Sequence, residues 1–246
     1  AALAALAWRA GSLKPSGAVA ACGVATAILA GTGIPGGIAL LVFFAGGSAA
    51  GRLTPDPAIA MGARGGRRDA WQVLSNGGPA AAGAMMTAGL TGAGLWIVTV
   101  SLAAAAADTW ASGVGALSRN NPVDLLGGRQ VPPGTSGGVT TAGTLGGLAG
   151  AVSVAAAGAA FGGGIPLFLA AAGLGFIGMV ADSAIGSAFQ GRFRCPRCDA
   201  ATERRVHTCG TRATRTGGLP WLNNDGVNAV TTALAALAGW LAWVWA

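Results

Sequence analysis

The stretch Ala107–Gly143 reads ADTWASGVGALSRNNPVDLLGGRQVPPGTSGGVTTAG. It begins within an apolar, alanine-rich segment, yet it places Asp108 near the end of that segment. A polar loop follows, and the run Gly134–Gly138 (GTSGG) then opens the next apolar segment. Glycines leave the backbone free to cradle phosphate, and the start of a helix favours anions. A carboxylate at one helix end and a glycine–hydroxyl loop at the next helix start therefore predict a magnesium–phosphate site.

The composition around this stretch indicates a membrane protein. The 246 residues are 52% hydrophobic and only 9% charged, and the mean hydropathy is +0.59. Soluble domains carry about 25% charged residues. The 44 glycines suit membrane helices that pack closely. We interpret the net charge of +7 as a topology signal and predict no nucleic-acid partner.

Apolar segments of nearly membrane-spanning length predict an all-α, polytopic fold, with residues 1–246 forming a single transmembrane domain. There are seven such segments, several of them short or glycine-rich and therefore predicted to be tilted or broken. They are Ser16–Thr32, Pro35–Gly51, Ala70–Leu90, Gly92–Leu117, Gly138–Phe161, Ile165–Phe189 and Trp221–Ala246. The segment Ala1–Ala10 raises the number to eight if it is the remnant of a first span.

The basic residues predict the orientation of these spans. All 15 lysines and arginines lie in alternate connections between the apolar segments. Basic loops stay in the cytoplasm, so we expect every charged connection there. The acidic residues that lie in or beside the spans are all at the same predicted face, and they are Asp69, Asp108, Asp182 and Asp225. This grouping predicts an active site that opens to the cytoplasm.

Acidic residues inside spans are costly, by about 2.5–3.5 kcal/mol on insertion scales, so each should face a partner, a cavity or an ion. Asn76 shares a helical face with Asp69, and Asn224, Asp225 and Asn228 form a polar cluster at the start of the last span. Helix capping and hydrogen bonds between helices are the alternative roles for these groups.

Arginines near the inner boundary are the predicted phosphate ligands. Arg67 and Arg68 immediately precede Asp69, and Arg129 lies in the loop before the GTSGG run. Arginine can pair with phosphate oxygens. The alternative is that these arginines only set topology or bind lipid headgroups.

A cysteine–histidine element lies between the last two spans, within residues 192–216. Cys195 and Cys198 form a CxxC pair, and His207 and Cys209 form an HxC pair. Zinc takes four such ligands tetrahedrally, so the spacing predicts one structural zinc ion in a cytoplasmic loop. A set of free cytosolic thiols is the alternative.

The ordered motifs resemble the DUF92 integral membrane family, which includes the transmembrane protein 19 group and plant phytyl-phosphate kinase. The resemblance covers nearly the whole chain. It is carried by KPSGAVAA at Lys14, GRRDAWQVLSNGG at Gly66, ADTWAS at Ala107, PPGTSGGVT at Pro132, GMVADSAIG at Gly178, CPRC…HTCG at Cys195 and LNNDGVN at Leu222. More distantly, the chain is similar to dolichol kinases, phytol kinases and CDP-diacylglycerol synthases, which use CTP and Mg²⁺ on lipid substrates.

The resemblance implies a kinase that transfers phosphate from CTP, or another nucleoside triphosphate, to an isoprenoid monophosphate such as phytyl or geranylgeranyl phosphate. Asp108 and Asp182 are then assigned to Mg²⁺, with Asp225 as a further catalytic candidate. The substrate and nucleotide ligands are predicted to be Arg67, Arg68, Asp69, Asn76, Ser112, Arg129, Thr135, Ser136, Gly137, Gly138, Asn224 and Asn228. We expect membrane lipids to surround the protein. The formation of a homo-oligomer is left open by the sequence.

Two alternative functions fit the same residues. A cytidylyltransferase would make a CDP-lipid and release pyrophosphate from nearly the same site. A transporter or scramblase also uses intramembrane acids and glycine-broken helices, although its acids should lie near the midplane. One position departs from the family pattern, because Gly113 stands where an acidic residue is expected after ADTWAS.

Overall fold

The computed structural model describes residues 2–52 and 67–246, and Arg64, one of the basic residues in the second connection, lies outside them. The described chain is mostly helical. Its helices are α1 Ala2–Arg9, α2 Pro15–Gly51, α3 Ala70–Met86, α4 Thr91–Gly115, α5 Thr141–Gly158, α6 Gly164–Phe189 and α7 Asn224–Val244, with a π-helical turn at Ala159–Gly163 between α5 and α6.

Helix α4 is the centre of the bundle. Every residue from 93 to 107 is buried, and α4 contacts α2, α3, α5, α6 and α7. Alanine fills positions 103–107, so neighbouring backbones can approach closely. Gly150 lies against Ala106 and Gly175 lies against Ala103. The predicted span Gly92–Leu117 is therefore the helix around which the others pack.

Helix α2 reverses direction at Gly33. Gly33 has φ 68° and ψ −155°, and Pro35 follows it. Gly17 and Gly47 both lie against Arg68. A straight helix would separate these two glycines, 30 residues apart, by about 45 Å. The two arms of α2 are therefore antiparallel, and they correspond to two of the predicted apolar segments.

A second reversal joins α5 to α6. The π-helical turn contains Gly162 at φ 140°, and Gly164 follows at φ 61°. Residues other than glycine rarely adopt either φ value. Gly147 of α5 lies against the Met179 side chain of α6, which shows that the two helices run side by side in opposite directions.

Within residues 2–52 and 67–246, four helical stretches are long and apolar enough to cross a membrane. They are Pro15–Gly51, Gly92–Gly115, Thr141–Phe189 and Asn224–Val244. The first and third each contain one of the reversals. Helix α1, at eight residues, would extend only about 12 Å and is too short to cross a bilayer of about 30 Å. The number of spans, seven or eight, stays a prediction.

Two small antiparallel sheets lie at the same end of the bundle as Asp108. In the first, β1 (Val123–Asp124) pairs with β2 (Gly138–Val139). The second has the order β4-β3-β5, with strands Arg192–Arg194 (β3), Ala201–Thr202 (β4) and Thr214–Gly217 (β5). This second sheet carries the cysteines and the histidine, so we call it the Cys/His sheet.

Candidate active site

One cavity collects most of the predicted site residues. Its walls come from the ends of the helices and from the GTSGG loop, Gly134–Gly138. The predicted residues that line it are Arg68, Asn76, Asp108, Ser112, Thr135, Ser136, Gly137, Gly138, Asp182, Asn224 and Asn228. The fold therefore brings together groups from five separate parts of the sequence, namely 68–76, 108–112, 135–138, 182 and 224–228.

Two of the predicted carboxylates line this cavity, those of Asp108 and Asp182. Asp108 comes from the last third of α4, and Asp182 comes from α6 and is 8% exposed. The two helices that carry them pack against one another. Asp182 Oδ2 accepts a hydrogen bond of 2.9 Å from the Thr231 hydroxyl on α7. Two nearby carboxylates are a donor set that suits Mg²⁺, which often takes one or two carboxylates together with substrate phosphates.

Side-chain amides extend the polar wall from Asp182 to α3. One atom of the Asn228 amide lies 3.1 Å from Asp182 Oδ2, and the other lies 3.4 Å from Asn76 Oδ1. An ionised carboxylate can only accept, so the Asn228 nitrogen is assigned to the Asp182 side, where it also reaches the Asn224 carbonyl at 3.3 Å. In this orientation the Asn228 amide holds the second carboxylate in place, and Asn76 lines the same wall.

The Arg68 guanidinium is a cation that lines the same cavity. It lies 5.8 Å from the centre of the Phe43 ring and 5.9 Å from that of Phe44, both on the second arm of α2. Within residues 2–52 and 67–246, it has no carboxylate at ion-pair distance. The Ser48 hydroxyl also belongs to a lining residue of this cavity; it is buried and has no hydrogen-bond partner in the described chain. A cation and an unused hydroxyl in one cavity suit an oxyanion.

The GTSGG loop forms the remaining wall, and its donors are largely engaged. Thr135 Oγ1 donates to the Pro132 carbonyl at 2.7 Å, and the Gly138 amide donates to the Thr135 carbonyl at 3.0 Å. The Ser136 amide and hydroxyl both donate to the Glu203 carboxylate, at 2.7 and 2.9 Å. Gly134 and Gly137 have φ values of 85° and 79°, which glycine adopts without strain.

Four predicted site residues are not among the residues that line the cavity: Arg67, Asp69, Arg129 and Asp225. Arg67 Nε donates to the Leu13 carbonyl at 3.1 Å, so it ties the N-terminal segment to the start of α3. Asp69 caps α3 through a reciprocal pair of hydrogen bonds with Gln72, each 3.2 Å long. Asp69 also pairs with Lys14 at 3.4 Å. The contacts of Arg67 and Asp69 are therefore structural.

Sequence reasoning missed several residues of the cavity. Glu203 and Ser48 line it, as do Thr140 and Ser183. Nothing in the sequence indicated that Ser48 belongs to a site, because single serines are common in glycine-rich spans. Glu203 offered one weak signal, since it is the sole glutamate of the chain and lies in an arginine-rich loop.

The cysteine and histidine side chains converge on one point of the Cys/His sheet. Ligand atoms of Cys195, Cys198, His207 and Cys209 all lie within 4.8 Å of one another. Cys195 Sγ lies 3.6 Å from Cys209 Sγ, which in turn lies 3.2 Å from His207 Nδ1. Zinc–sulfur bonds near 2.3 Å and zinc–nitrogen bonds near 2.0 Å fit such separations in a tetrahedron. The group is compatible with a structural zinc ion.

Gly113 lies at a tight helix contact rather than in open space. A Cβ atom at this position would lie 2.5 Å from the Ala50 carbonyl oxygen of α2. Real Cβ atoms do not approach that closely, so any side chain here would separate α2 from α4. An acidic side chain at position 113 is therefore incompatible with the close packing of α2 against α4 seen here.

Comparison with known proteins gives a consistent result. The family described as "Integral membrane protein DUF92" matches residues 1–236. The uncharacterized membrane protein MJ0933 of Methanocaldococcus jannaschii is 37% identical over 90 residues, which cover 37% of this chain and 38% of that protein. The match thus spans little more than a third of either protein. No solved structure matches.

Proposed function

Because the chain belongs to the DUF92 family of integral membrane proteins, we propose that it is a membrane-embedded kinase of an isoprenoid monophosphate. The phosphoryl donor is CTP or another nucleoside triphosphate, and the acceptor is a lipid such as phytyl or geranylgeranyl phosphate. One observation carries this proposal: Asp108 and Asp182 share a cavity with the Arg68 guanidinium and the GTSGG loop.

The chemistry transfers the γ-phosphoryl group to an oxygen of the acceptor phosphate. A bond forms between that oxygen and the γ-phosphorus, and the bond between the γ-phosphorus and the bridging oxygen breaks, leaving a nucleoside diphosphate and an isoprenyl diphosphate. Such a reaction depends mainly on positioning and on neutralising phosphate charge. Bound Mg²⁺ would supply that neutralisation, and Asp108 and Asp182 are the residues that would hold it.

Arg68 and Ser48 complete the phosphate site in this proposal. The guanidinium donates to phosphate oxygens in the cavity that it shares with the GTSGG loop, and the Ser48 hydroxyl supplies one further donor. The Phe43 and Phe44 rings lie within cation–π range of the guanidinium and restrict its motion before phosphate binds.

The membrane arrangement follows the charge pattern. We propose that both arms of α2, together with α3, α4, α5, α6 and α7, each cross the bilayer. The basic connections and the cavity then face the cytoplasm, where nucleotides are available. The isoprenoid tail lies between helices, and a zinc ion held by Cys195, Cys198, His207 and Cys209 stabilises the Cys/His sheet.

The test is an assay of purified protein with isoprenyl monophosphates and nucleoside triphosphates labelled at either the α or the γ phosphate. Transfer of γ label to the lipid supports the kinase, whereas transfer of α label identifies a cytidylyltransferase. Asp182→Asn should abolish transfer. Asp199→Asn is the matched control, because it removes an exposed carboxylate that pairs only with Arg194 at 2.5 and 2.7 Å in the described chain.

The absence of label transfer from every nucleotide, combined with uptake of an isoprenyl phosphate into vesicles, would overturn the kinase and identify a transporter. The position of the carboxylates argues against this outcome. Asp108 lies in the last third of α4, and it lines the cavity beside the polar loops rather than the middle of the bundle.

A further inference from the structure

Glu203 connects the Cys/His sheet to the GTSGG loop. One of its carboxylate oxygens accepts from the Ser136 amide at 2.7 Å, and the other accepts from the Ser136 hydroxyl at 2.9 Å. The second oxygen also accepts from Gln190 Nε2 at 2.7 Å. Three donors thus converge on one carboxylate, and two of them belong to the predicted phosphate loop.

Glu203 is half-buried; loss of hydration raises the pKa of its carboxyl, while the hydrogen bonds from Ser136 act in the opposite direction. A partly desolvated carboxylate is stable in a fold where its partners compensate for lost hydration. Removal of Glu203 would leave the Ser136 donors without a partner, at a cost comparable to a lost hydrogen bond for each. The contact between Glu203 and Ser136 therefore holds the GTSGG loop in position.

The position of Glu203 depends on the sheet that holds the cysteines. Glu203 follows β4 directly, and Thr202 of that strand is 1% exposed and pairs with Phe193 of β3. The next residue after β3 is Cys195, which is fully buried. Any metal ion that orders the four ligands also orders β3 and β4, and hence the carboxylate that reaches Ser136.

Glu203 acts on the loop and not on a shared ion. In the part of the chain that the structure describes, Asp108, Asp182 and Glu203 do not come close enough to form a common metal-binding group. Glu203 lines the cavity, but every hydrogen bond that it accepts from the described residues comes from Ser136 or Gln190. We therefore assign Glu203 to the loop and not to the carboxylate pair proposed for Mg²⁺.

We propose that Glu203 is a positioning residue through which metal binding in the Cys/His sheet controls the order of the GTSGG loop. The inference rests on the proposed function in one respect, namely that this loop holds nucleotide phosphate. Linkage is reciprocal, so nucleotide bound at an ordered loop would also raise the affinity of the four ligands for zinc.

The first test needs no nucleotide. Amide hydrogen exchange of residues 132–140 is measured in the full chain, with zinc bound and after chelation, for the natural protein, Glu203→Ala, Glu203→Gln and the control Asp199→Asn. Chelation and Glu203→Ala should each speed exchange at Ser136 about tenfold, the loss expected for one charge-assisted hydrogen bond. In Glu203→Ala, chelation should add no further increase.

Unchanged exchange in Glu203→Ala would overturn the proposal, as would an equal effect of chelation with and without Glu203. Glu203→Gln covers the case in which the alanine variant does not fold, because glutamine has the same shape and still accepts one bond. It should speed exchange at Ser136 less than alanine does, whereas Asp199→Asn should leave exchange as in the natural protein.

The second test separates positioning from catalysis. In Glu203→Gln the KM for nucleotide should rise about tenfold while kcat changes by less than about twofold, because a loosened loop weakens binding more than chemistry. A fall in kcat with unchanged KM would assign Glu203 to the reacting groups instead. If no nucleotide binds at all, the kinase proposal fails, but the exchange experiment still decides whether Glu203 couples the sheet to the loop.

Discussion

The Thr231 hydroxyl on α7 donates a hydrogen bond of 2.9 Å to the Asp182 carboxylate on α6, across a separation of 49 residues. The chain joins these two helices only through the Cys/His sheet and its flanking loops. The bond therefore fixes one oxygen of Asp182 and leaves the other free to meet a ligand in the cavity shared with Asp108.

Neutralising a cavity carboxylate should remove activity and keep the fold. We expect Asp108→Asn to melt at the same temperature as the natural protein or above it, because a desolvated charge is removed. Nucleotide-dependent transfer should fall by at least about a hundredfold, since a main source of charge stabilisation is lost. Thermal melts and the labelled-nucleotide assay measure the two effects. Retained transfer in Asp108→Asn would contradict the kinase proposal.

Enlarging Gly113 should destabilise the bundle. A Cβ atom there meets the Ala50 carbonyl at 2.5 Å, so Gly113→Ala should cost about 1–3 kcal/mol through overpacking, and Gly113→Asp should cost more. Gly23→Ala is the matched control, because the space around Gly23 is open and alanine favours helix by about 0.5–1 kcal/mol. Chemical denaturation in detergent measures both variants. Equal stability of the two would show that α2 and α4 separate easily.

Zinc should be bound by the four ligands and should stabilise the Cys/His sheet. We expect about one zinc ion per chain in the natural protein and in Cys22→Ser, because Cys22 lies apart in α2. Cys198→Ser should lose most of the metal and expose residues 192–217 to protease. Elemental analysis and limited proteolysis provide the measurements. Full zinc content in Cys198→Ser would exclude the tetrahedral site.

Asp124 should make stability depend on acid pH. A hydrogen bond from Ser187, with further bonds from Leu126 and Gly127 amides, holds the pKa of Asp124 below its ordinary value of 3.8. A carboxyl with a lowered folded pKa stabilises the fold above the unfolded pKa and loses that contribution as pH falls through the folded pKa. The melting temperatures of the natural protein and Asp124→Asn should therefore differ at pH 6 and converge below pH 3.8.

Ser187→Ala is the control for this titration, because Ser187 is the strongest of the groups that lower the pKa of Asp124. In the Ser187→Ala background, the substitution of Asp124 should give a smaller difference at pH 6. A difference that persists unchanged through acid pH would mean that Asp124 contributes through its shape and not through its charge.

The charged and uncharged connections should lie on opposite sides of the membrane. In a Cys22→Ser background, labelling by a membrane-impermeant maleimide is compared with that of Cys195, Cys198 and Cys209 alone. A cysteine placed at Asn120 should add labelling only from the cytoplasm, and one placed at Ala88 only from outside. Both positions are exposed, so neither is shielded by the bundle. Labelling of both from one side would refute the proposed topology.

The sequence alone determined the helical membrane class and the location of the helices. Their apolar runs and punctuating glycines act locally, through hydrophobicity, capping and backbone freedom, so they can be read without the fold. The family resemblance was likewise available from the motifs and is confirmed by the match over residues 1–236. The convergence of Cys195, Cys198, His207 and Cys209 was predictable as well, because short spacing keeps paired ligands together.

Tertiary structure decided which polar residues face the cavity. Arg67 and Arg68 are neighbours in an extended segment, where successive side chains point to opposite sides, so the sequence could not say which one reaches the site. Pairing of Leu13 with Arg68 sets that direction, and it sends Arg67 to the Leu13 carbonyl. The meeting of Glu203 with Ser136 was beyond sequence reasoning too, because it depends on how a folded sheet docks against a loop 67 residues away.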